Sequence, residues 1–359
     1  MTLAKLGYLS IIKSENGRRI QICQSGNYLM MLDMFEQQAI KEIKEKGIIK
    51  NEPAMIAIEK KTNDIVAVGN EAKQMIGKTP EKIEALRPLK HGGIANLNAT
   101  EMIVKQIIEG LQREENIGSP RVLINLHIGM TEVEKRAVLK LVLATGAKEI
   151  YFVEETLAAA IGAGLDVSSP EASMIVDIGS GTTEIAVIAL DRIVSCNYIR
   201  IAGDDLDENI IEYIKRNMNV EIGKNAAERL KIELASVKPI VNQIKEVKGR
   251  DLVTGLPKKI RVNAFQIHDA IKLSLDKIIE TIRETLDRTP PELINDIYIK
   301  GLTITGGGAC IDKIDEVIKE RVRVNATIAE KPMECVALGI NEILNDDSKM
   351  RELKTKRRV

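Results

Sequence analysis

A short glycine turn interrupts an apolar stretch of the 359-residue chain, and a carboxylate and several hydroxyls surround that turn. Because glycine reaches backbone angles that other residues avoid, successive N–H groups there can converge on a phosphate. Asp177 precedes the turn; as an anion it repels phosphate, so the role that suits it is to hold Mg²⁺ through water. The residues predicted to bind phosphate are Gly179, Ser180, Gly181, Thr182 and Thr183. An ordinary β-hairpin turn is the alternative interpretation of the same glycines.

A second glycine turn follows the apolar segment 302–305, which has the composition of a strand. Its small residues leave room for a flat group, and its free backbone N–H groups can face an anion. The members of this turn are Gly306, Gly307, Gly308 and Ala309. Two such turns in one chain favour a single nucleotide held by both, with a plain tight turn as the alternative.

Three charged side chains could complete such a site. Glu155 follows a predicted strand and begins a predicted helix, where a carboxylate can orient or deprotonate water for phosphoryl transfer. The alternative is that its charge only stabilises the start of the helix. Glu228 and Lys231 are three residues apart on a predicted helix, so both lie on one face and could reach ribose hydroxyls. A solvated ion pair explains these two residues equally well.

The elements that must position these residues alternate between strand and helix patterns. Segments 121–126 and 148–153 are typical of strands, and each precedes a helical pattern. Thr131 and Glu134 form a capping box at the start of the first of these helices. Helices are also predicted for residues 205–214 and 226–237, and one or two more for residues 263–286. The doubled pattern predicts two α/β lobes that face a ligand cleft.

Composition excludes several classes of protein. The chain is 44% hydrophobic and only 3% aromatic, which favours helix-on-sheet layers built from aliphatic side chains. Its 52 basic and 52 acidic residues create no overall field that favours nucleic acid. Four scattered cysteines and three histidines predict neither a disulfide framework nor a transition-metal site, and they favour a cytoplasmic protein. No apolar run has the length of a membrane span, and no P-loop motif occurs.

From about residue 47 to residue 344, the chain resembles MreB, the family of bacterial actin homologues. The matching stretches occur in order along the chain, at residues 47–53, 76–80, 87–90, 131–136, 158–165, 177–187, 201–204, 249–257, 289–293 and 305–308. The resemblance implies an α/β, actin-like (ribonuclease H-like) fold with duplicated lobes around a nucleotide cleft. The implied divisions are a divergent segment 1–28, lobe I at 29–172 plus about 325–347, a small β-containing subdomain within it at about 50–85, lobe II at 173–324, and a basic tail at 348–359.

The resemblance also implies bound ATP and Mg²⁺, and filaments of the chain with itself that organise cell-wall synthesis and maintain rod shape. The glycine hairpin would be the second phosphate loop, and Glu155 would position the attacking water. Glu228 and Lys231 would contact the ribose, and residues 306–309 would surround the adenosine. The implied partners are membrane proteins of cell-wall elongation, with peripheral membrane contact on the cytoplasmic face and no nucleic acid.

The first phosphate loop departs from the family pattern, which is Asp-Leu-Gly-Thr-Ala followed by Asn or Ser. The residues aligned with it are Asp33, Phe35, Glu36, Gln37 and Gln38. Asp33 is retained as a candidate for metal binding, but Phe35 would crowd a tight turn. Glu36 would stand beside the triphosphate, where two unit charges about 4 Å apart repel by about 4 kcal/mol at an effective dielectric near 20. We therefore expect weakened ATP binding and a helical segment at 36–46 in place of the second strand.

Two explanations of this departure stay open: a divergent paralogue, or a one-base shift of the reading frame across the loop. Two functions follow, an ATPase whose hydrolysis is coupled to polymerisation or a nucleotide-poor scaffold that co-assembles with related filaments. A sugar or acetate kinase of the same superfamily is disfavoured, because the matches cover both lobes and leave no substrate domain.

Milder departures surround the predicted catalytic carboxylate and the membrane-facing regions. Thr156 replaces the proline that usually follows Glu155, and a Leu-His pair at 126–127 replaces Val-Pro. The loop near 116–120, where family members often insert apolar residues into membranes, offers only Ile117. The basic tail would add attraction to an anionic leaflet of about 1 kcal/mol per basic residue.

Overall fold

The computed structural model describes residues 8–12, 18–24, 28–34, 48–90, 93–115, 121–144, 146–147, 149–239, 243–346 and 348–349. The elements of the first half, in chain order, are β1 Tyr8–Ile12, β2 Arg18–Gln24, β3 Tyr28–Met34, β4 Ile48–Pro53, β5 Ile56–Glu59, β6 Ile65–Val68, α1 Gly69–Met75, β7 Ile83–Leu86, β8 Leu89–Lys90, β9 Gly93–Ile94, α2 Leu97–Glu115, β10 Arg121–Leu126, α3 Glu132–Leu143, β11 Glu149–Glu154 and α4 Glu155–Gly162. Those of the second half are β12 Ser173–Ile178, β13 Thr183–Ala189, β14 Arg192–Ile199, α5 Gly203–Met218, β15 Val220–Glu221, α6 Lys224–Leu234, β16 Ile244–Asp251, β17 Pro257–Asn263, α7 Ala264–Asp287, α8 Pro291–Lys300, β18 Leu302–Thr305, a 3₁₀ turn Gly307–Cys310, α9 Ile314–Val322, β19 Ala326–Ile328 and α10 Cys335–Asn345.

The chain forms two compact units. Unit 1 comprises Ser169–Ala189 and Ile193–Pro332, and unit 2 comprises the described residues up to 168, the turn Leu190–Arg192 and the described residues from 333 onward. Helix α10 therefore belongs with the first part of the chain. The predicted lobe limit near residue 325 lies earlier than the observed one, because β19 pairs in parallel with β18 and so stays in unit 1.

Unit 1 is built on a five-stranded sheet with the strand order β14-β13-β12-β18-β19. Strands β12 and β13 pair antiparallel and β12 pairs in parallel with β18. Every residue of β12 and β13 is buried, which explains why their sequences are almost continuously apolar. The aliphatic faces of α5, α6 and α7 complete the core; Ile210, Leu230 and Ile271 are examples. A separate sheet, β15-β16-β17, carries a long hairpin.

Unit 2 contains a six-stranded sheet with the order β11-β10-β3-β2-β1-β4. Strands β10 and β11 are parallel and are joined through α3, whereas β3 pairs antiparallel with β10. A second sheet, β6-β5-β7, packs with α1 around a small core that includes Met55 and Ala72. In this sheet β5 and β6 pair antiparallel, with Ile56 opposite Val68.

The local predictions for helix ends are confirmed in one place and corrected in another. At the start of α3, the N–H of Glu134 donates to Thr131 Oγ1 and the N–H of Thr131 donates to Glu134 Oε2, which is the predicted capping box. Helix α6 ends at Leu234, earlier than the predicted residue 237. The Ser236 hydroxyl instead donates to Asp312 Oδ2 at 2.8 Å and the N–H of Val237 donates to the Asp312 carbonyl, which ties the chain to the segment between the 3₁₀ turn and α9.

Helices α4 and α10 pack unusually closely within unit 2. A Cβ on Gly339 would stand 1.7 Å from the carbonyl oxygen of Ala158, and one on Gly162 would stand 1.8 Å from that of Cys335. No side chain fits at either position without separating the two helices. This contact holds the alanine-rich helix that begins with Glu155.

Candidate nucleotide-binding site

The predicted glycine hairpin is present as the turn between β12 and β13. The register ends with Ile178 opposite Thr183, and the N–H of Gly179 donates to the carbonyl of Thr182 at 3.0 Å. The turn itself therefore consists of residues 179–182. Ser180, Thr182 and the strand residue Thr183 are all buried, so the hydroxyl-bearing side chains of the turn do not point into bulk water.

The N-terminus of α5 supports this turn from beneath. The N–H groups of Gly203 and Asp204 donate to the carbonyls of Gly179 and Ser180, at 3.2 and 2.7 Å. In addition, the Thr183 hydroxyl donates to the Ile201 carbonyl at 2.7 Å. Since α5 engages two of the turn's carbonyls, the turn is held in one conformation.

Asp177 lies at the carboxyl end of β12, beside the corresponding end of β18. The register pairs Asp177 with Thr305, and the Thr305 hydroxyl donates to Asp177 Oδ1 at 2.8 Å. The carboxylate is 4% exposed. Burial raises its pKa to about 6, and the hydrogen bond from Thr305 opposes that rise. A desolvated carboxylate of this kind is stabilised by a nearby cation, which fits the predicted role beside Mg²⁺.

The second glycine turn packs directly on the first. Gly306 has φ +80°, and a Cβ there would stand 2.3 Å from the Ile178 carbonyl oxygen and 2.8 Å from Asp177 Oδ1. A Cβ on Gly308 would stand 2.2 Å from Ile178 Cγ2, whereas one on Gly307 would meet nothing within 4 Å. Gly306 and Gly308 are thus needed for protein packing, and the Gly307 backbone is the member open to a ligand. Ala309 is buried behind it.

Lys231 occupies a position that sequence reasoning did not foresee. Its ammonium forms an ion pair with Asp207 Oδ1 at 2.8 Å and donates to the Gly203 carbonyl at 2.7 Å. Burial raises the pKa of Asp207 to about 6, and Lys231 opposes that rise. Asp207 is on α5 and Lys231 on α6, so no local spacing indicates the pair. Glu228 is buried on α6, one turn before Lys231.

Glu155 belongs to unit 2, where it is the first residue of α4 and is 1% exposed. Strands β10 and β11 end together, with Leu126 opposite Glu154 as their last pair. Buried polar side chains gather at this sheet edge: Asn125, His127, Glu155 and Thr156. The ring of His127 accepts a hydrogen bond at Nδ1 from the N–H of Gly129 at 3.0 Å, which places the ring proton of the neutral form on Nε2.

Asp33 does not lie at the sheet edge where Glu155 begins its helix. The register of β3 and β10 places Asp33 opposite Arg121, at the amino end of β10. The physical reason is strand direction: β3 runs antiparallel to β10, so its last residues reach the opposite edge of the sheet. The other predicted residues of that loop, Phe35, Glu36, Gln37 and Gln38, lie outside the described residues, as does the whole of the predicted helix 36–46.

Within the described ranges no group of three or more His, Cys, Asp or Glu side chains is arranged to hold a metal ion directly. No helix in the part of the chain that the structure describes is long and apolar enough to cross a membrane.

Comparisons with known proteins agree with this architecture. The sequence profile of the MreB/Mbl protein family matches residues 29–352. The cell shape-determining protein Mbl of Bacillus subtilis (strain 168) is 40% identical over 320 residues, which cover 89% of this chain and 96% of the relative. The cell shape-determining protein MreB of Escherichia coli (strain K12) is 40% identical over 317 residues, covering 86% and 91%.

A solved structure shows the same fold. The crystal structure of MreB 5 of Spiroplasma citri bound to AMPPNP is 31% identical to this chain, covers 92% of it and 96% of its own chain, and superposes with a TM-score of 0.82. The predicted actin-like fold is confirmed, and the chain belongs to the MreB/Mbl family.

Proposed function

We propose that this chain is an actin-like cytoskeletal protein that binds ATP with Mg²⁺ and polymerises into filaments that organise cell-wall synthesis and cell shape. The single observation that supports it best is the packing of the second glycine turn against the end of β12, which brings the buried Asp177 carboxylate and the open Gly307 backbone together in unit 1. Relatives that are 40% identical over most of their length are cell shape-determining proteins, and MreB 5 of Spiroplasma citri binds AMPPNP.

Each residue of the turns has a role in this proposal. The N–H groups of residues 180–182 and the Thr182 hydroxyl bind phosphate oxygens, and Asp177 holds the metal's water ligands. When bound, Mg²⁺ would neutralise the phosphate charge. Gly307 offers an uncrowded backbone to the adenosine. Glu155 orients the attacking water. Lys231 holds α5 against the turn, and Glu228, one turn before Lys231 on α6, is the ribose contact.

Nucleotide binding and hydrolysis are tested separately. Fluorescent ATP titration of the full chain should show Mg²⁺-dependent binding, which Gly307→Val weakens by blocking the open backbone position. Phosphate release should fall in Glu155→Gln while ATP binding stays. Filaments that form without nucleotide, from a chain that binds no ATP, would instead favour the alternative, a nucleotide-poor scaffold that co-assembles with related filaments.

Self-association has a candidate surface at the tip of the β16–β17 hairpin. The Asp251 carboxylate accepts N–H groups from Val253 and Thr254, at 2.9 and 3.0 Å, and pairs with Lys258 at 2.8 Å. These bonds hold the tip in one shape, and they keep the pKa of Asp251 well below its usual range. The same tip exposes aliphatic side chains: Leu252 (41% exposed), Val253 (81%) and Leu256 (65%). A rigid, exposed apolar tip is a docking element.

A second surface of unit 1 is suited to receive that tip. Two adjoining surface grooves of about 770 and 710 Å³ share Tyr298, Arg323 and Val324. Their charged lining comprises Glu280, Arg283, Asp287, Glu316, Lys319, Glu320 and Arg323. Acidic groups outnumber basic ones there, whereas the two hairpin strands carry six basic and two acidic residues. We propose a second copy of the chain as the occupant, because two different surfaces that complement each other give an open head-to-tail filament.

The filament contact can be tested with complementary variants. Val253→Glu and Tyr298→Glu should each abolish sedimentation of polymer, while Leu273→Glu, at an equally exposed position on α7, should not. Mixed together, the two defective variants should form dimers and nothing longer, since each keeps one intact surface. Normal polymer from Val253→Glu, or no dimers from the mixture, would contradict the head-to-tail assignment.

Contact with the membrane and with cell-wall elongation proteins remains a proposal for the cytoplasmic face. It is supported by the cell-shape relatives and by the basic tail 349–359, nearly all of which lies outside the described residues. Sedimentation with anionic liposomes should fall when residues 351–359 are deleted, and no change would remove the tail from this role.

A further inference from the structure

Two buried polar side chains next to Glu155 lack hydrogen-bond partners among the described residues. They are Asn125, through both its amide nitrogen and its oxygen, and Thr156, through its hydroxyl. Both residues are 0% exposed. Buried polar groups in native proteins are nearly always bonded to protein atoms or to ordered water, so these two groups require an explanation.

Their placement connects them to the predicted catalytic carboxylate. Thr156 directly follows Glu155 in the first turn of α4, and α4 packs against β10 and β11. Asn125 pairs in register with Val153, two residues before Glu155, and side chains of paired residues lie on the same face of a sheet. The amide and the hydroxyl are thus brought to the sheet edge at which Glu155 begins.

The site has the chemistry that a buried water needs. An internal water usually makes two to four hydrogen bonds, and an Asn amide, a Thr hydroxyl and a carboxylate together offer donors and acceptors for it. A proline after the carboxylate, as the family usually has, would offer no hydroxyl. This arrangement is therefore a property of the present chain.

We propose that Asn125 and Thr156 are positioning residues that hold a buried water against the carboxylate of Glu155 and so orient it. The proposal rests on the proposed function, because the carboxylate so oriented is the one that positions the attacking water. The chain would thereby use a hydroxyl and a bound water at a position where the family pattern has a proline.

Thr156→Val replaces the hydroxyl with a methyl group of similar size. It therefore distinguishes a hydroxyl that binds a buried water from one that has no hydrogen-bond partner. If water bridges Thr156 to Glu155, Thr156→Val loses those bonds and lowers the urea midpoint, whereas Thr156→Ser keeps it closer to that of the parent chain. An unpartnered hydroxyl would instead be replaced at no cost, or with a gain. Thr285→Val is the matched control, because Thr285 is equally buried and its hydroxyl donates only to the Thr281 carbonyl of its own helix.

Two further readouts separate this inference from the proposed ATPase. The effect of Thr156→Val on the midpoint should shrink in a Glu155→Gln background, since the carboxylate is the other partner of the water; this needs no nucleotide. In phosphate release, Thr156→Val and Asn125→Leu should lower kcat by about tenfold or more with KM for ATP unchanged, as expected for a group that orients another. Either of two results would overturn the positioning role. One is that the effects of Thr156→Val and Glu155→Gln on the urea midpoint simply add in the double variant; the other is that Thr156→Val leaves the midpoint unchanged or raises it. If the parent chain releases no phosphate, the proposed ATPase activity is refuted. The urea midpoints of the Thr156 and Glu155 variants then still test whether a water is bound between these residues.

Discussion

Lys231 offers the most decisive perturbation of the nucleotide-binding unit. Its ammonium contacts Asp207 Oδ1 at 2.8 Å and the Gly203 carbonyl at 2.7 Å, and the two charged side chains are only 15% and 7% exposed. Lys231→Met keeps an unbranched apolar stem but removes the charge. Asp207 is then a buried carboxylate without its cation, and breaking such a pair costs about 3–5 kcal/mol.

The pH dependence of this loss follows from Asp207. Burial raises its pKa from 3.8 to about 6 even while Lys231 opposes the rise, so removal of Lys231 moves the pKa higher. A carboxyl with a raised folded-state pKa stabilises the fold fully below its unfolded pKa, and that stabilisation is lost as the pH rises through the folded value. The loss in Lys231→Met should therefore be largest above about pH 7 and smaller near pH 5, where Asp207 takes up a proton.

The assay is urea unfolding of the full chain at these two pH values, with two matched variants. Lys224→Met removes an ion pair between the same two helices, to Glu208 at 3.1 Å, but that pair is more than half exposed and should be worth less than about 1 kcal/mol. Adding Asp207→Asn to Lys231→Met should restore most of the lost stability. Equal losses for the two lysines, or a Lys231→Met loss that does not change with pH, would refute the reasoning.

Three other outcomes are expected. Gly339→Ala should destabilise unit 2 by about 1–3 kcal/mol or more in thermal unfolding, because its Cβ would stand 1.7 Å from the Ala158 carbonyl oxygen. Gly223→Ala, which has open space around it, should be far less destabilising. Thr305→Val should cost about 1.5–3 kcal/mol at neutral pH by removing a hydrogen bond to a buried carboxylate, and the loss should shrink in acid as Asp177 is protonated. Burial raises the pKa of Asp177 to about 6, so protonation of this residue should raise the parent chain's urea midpoint as the pH falls from 7 toward 5. Saturating Mg²⁺ with nucleotide should reduce that increase.

Features set by near neighbours in the chain were predictable. The apolar run that is broken at 179–182 indicated a buried hairpin. The observed hairpin pairs residues on both sides of that break, with Asp177 opposite Glu184. The Thr131 capping box and the long amphipathic α7 likewise depend on residues three or four apart, so local periodicity was sufficient. The predicted end of α6 was wrong because Ser236 donates a hydrogen bond to Asp312, which is 76 residues away in the sequence.

The family resemblance and the glycine turns were readable from the order of residue types alone, since a turn's chemistry is written in consecutive residues. Only the tertiary structure showed that Gly306 and Gly308 serve packing against Ile178 while Gly307 stays open, and that Lys231 has Asp207 for a partner. The direction of β3 was likewise decided only by the tertiary structure, because nothing in the sequence around Asp33 indicates that β3 runs antiparallel to β10. Such contacts depend on which surfaces meet after the chain has folded, and residues distant in sequence carry no local signal of that meeting.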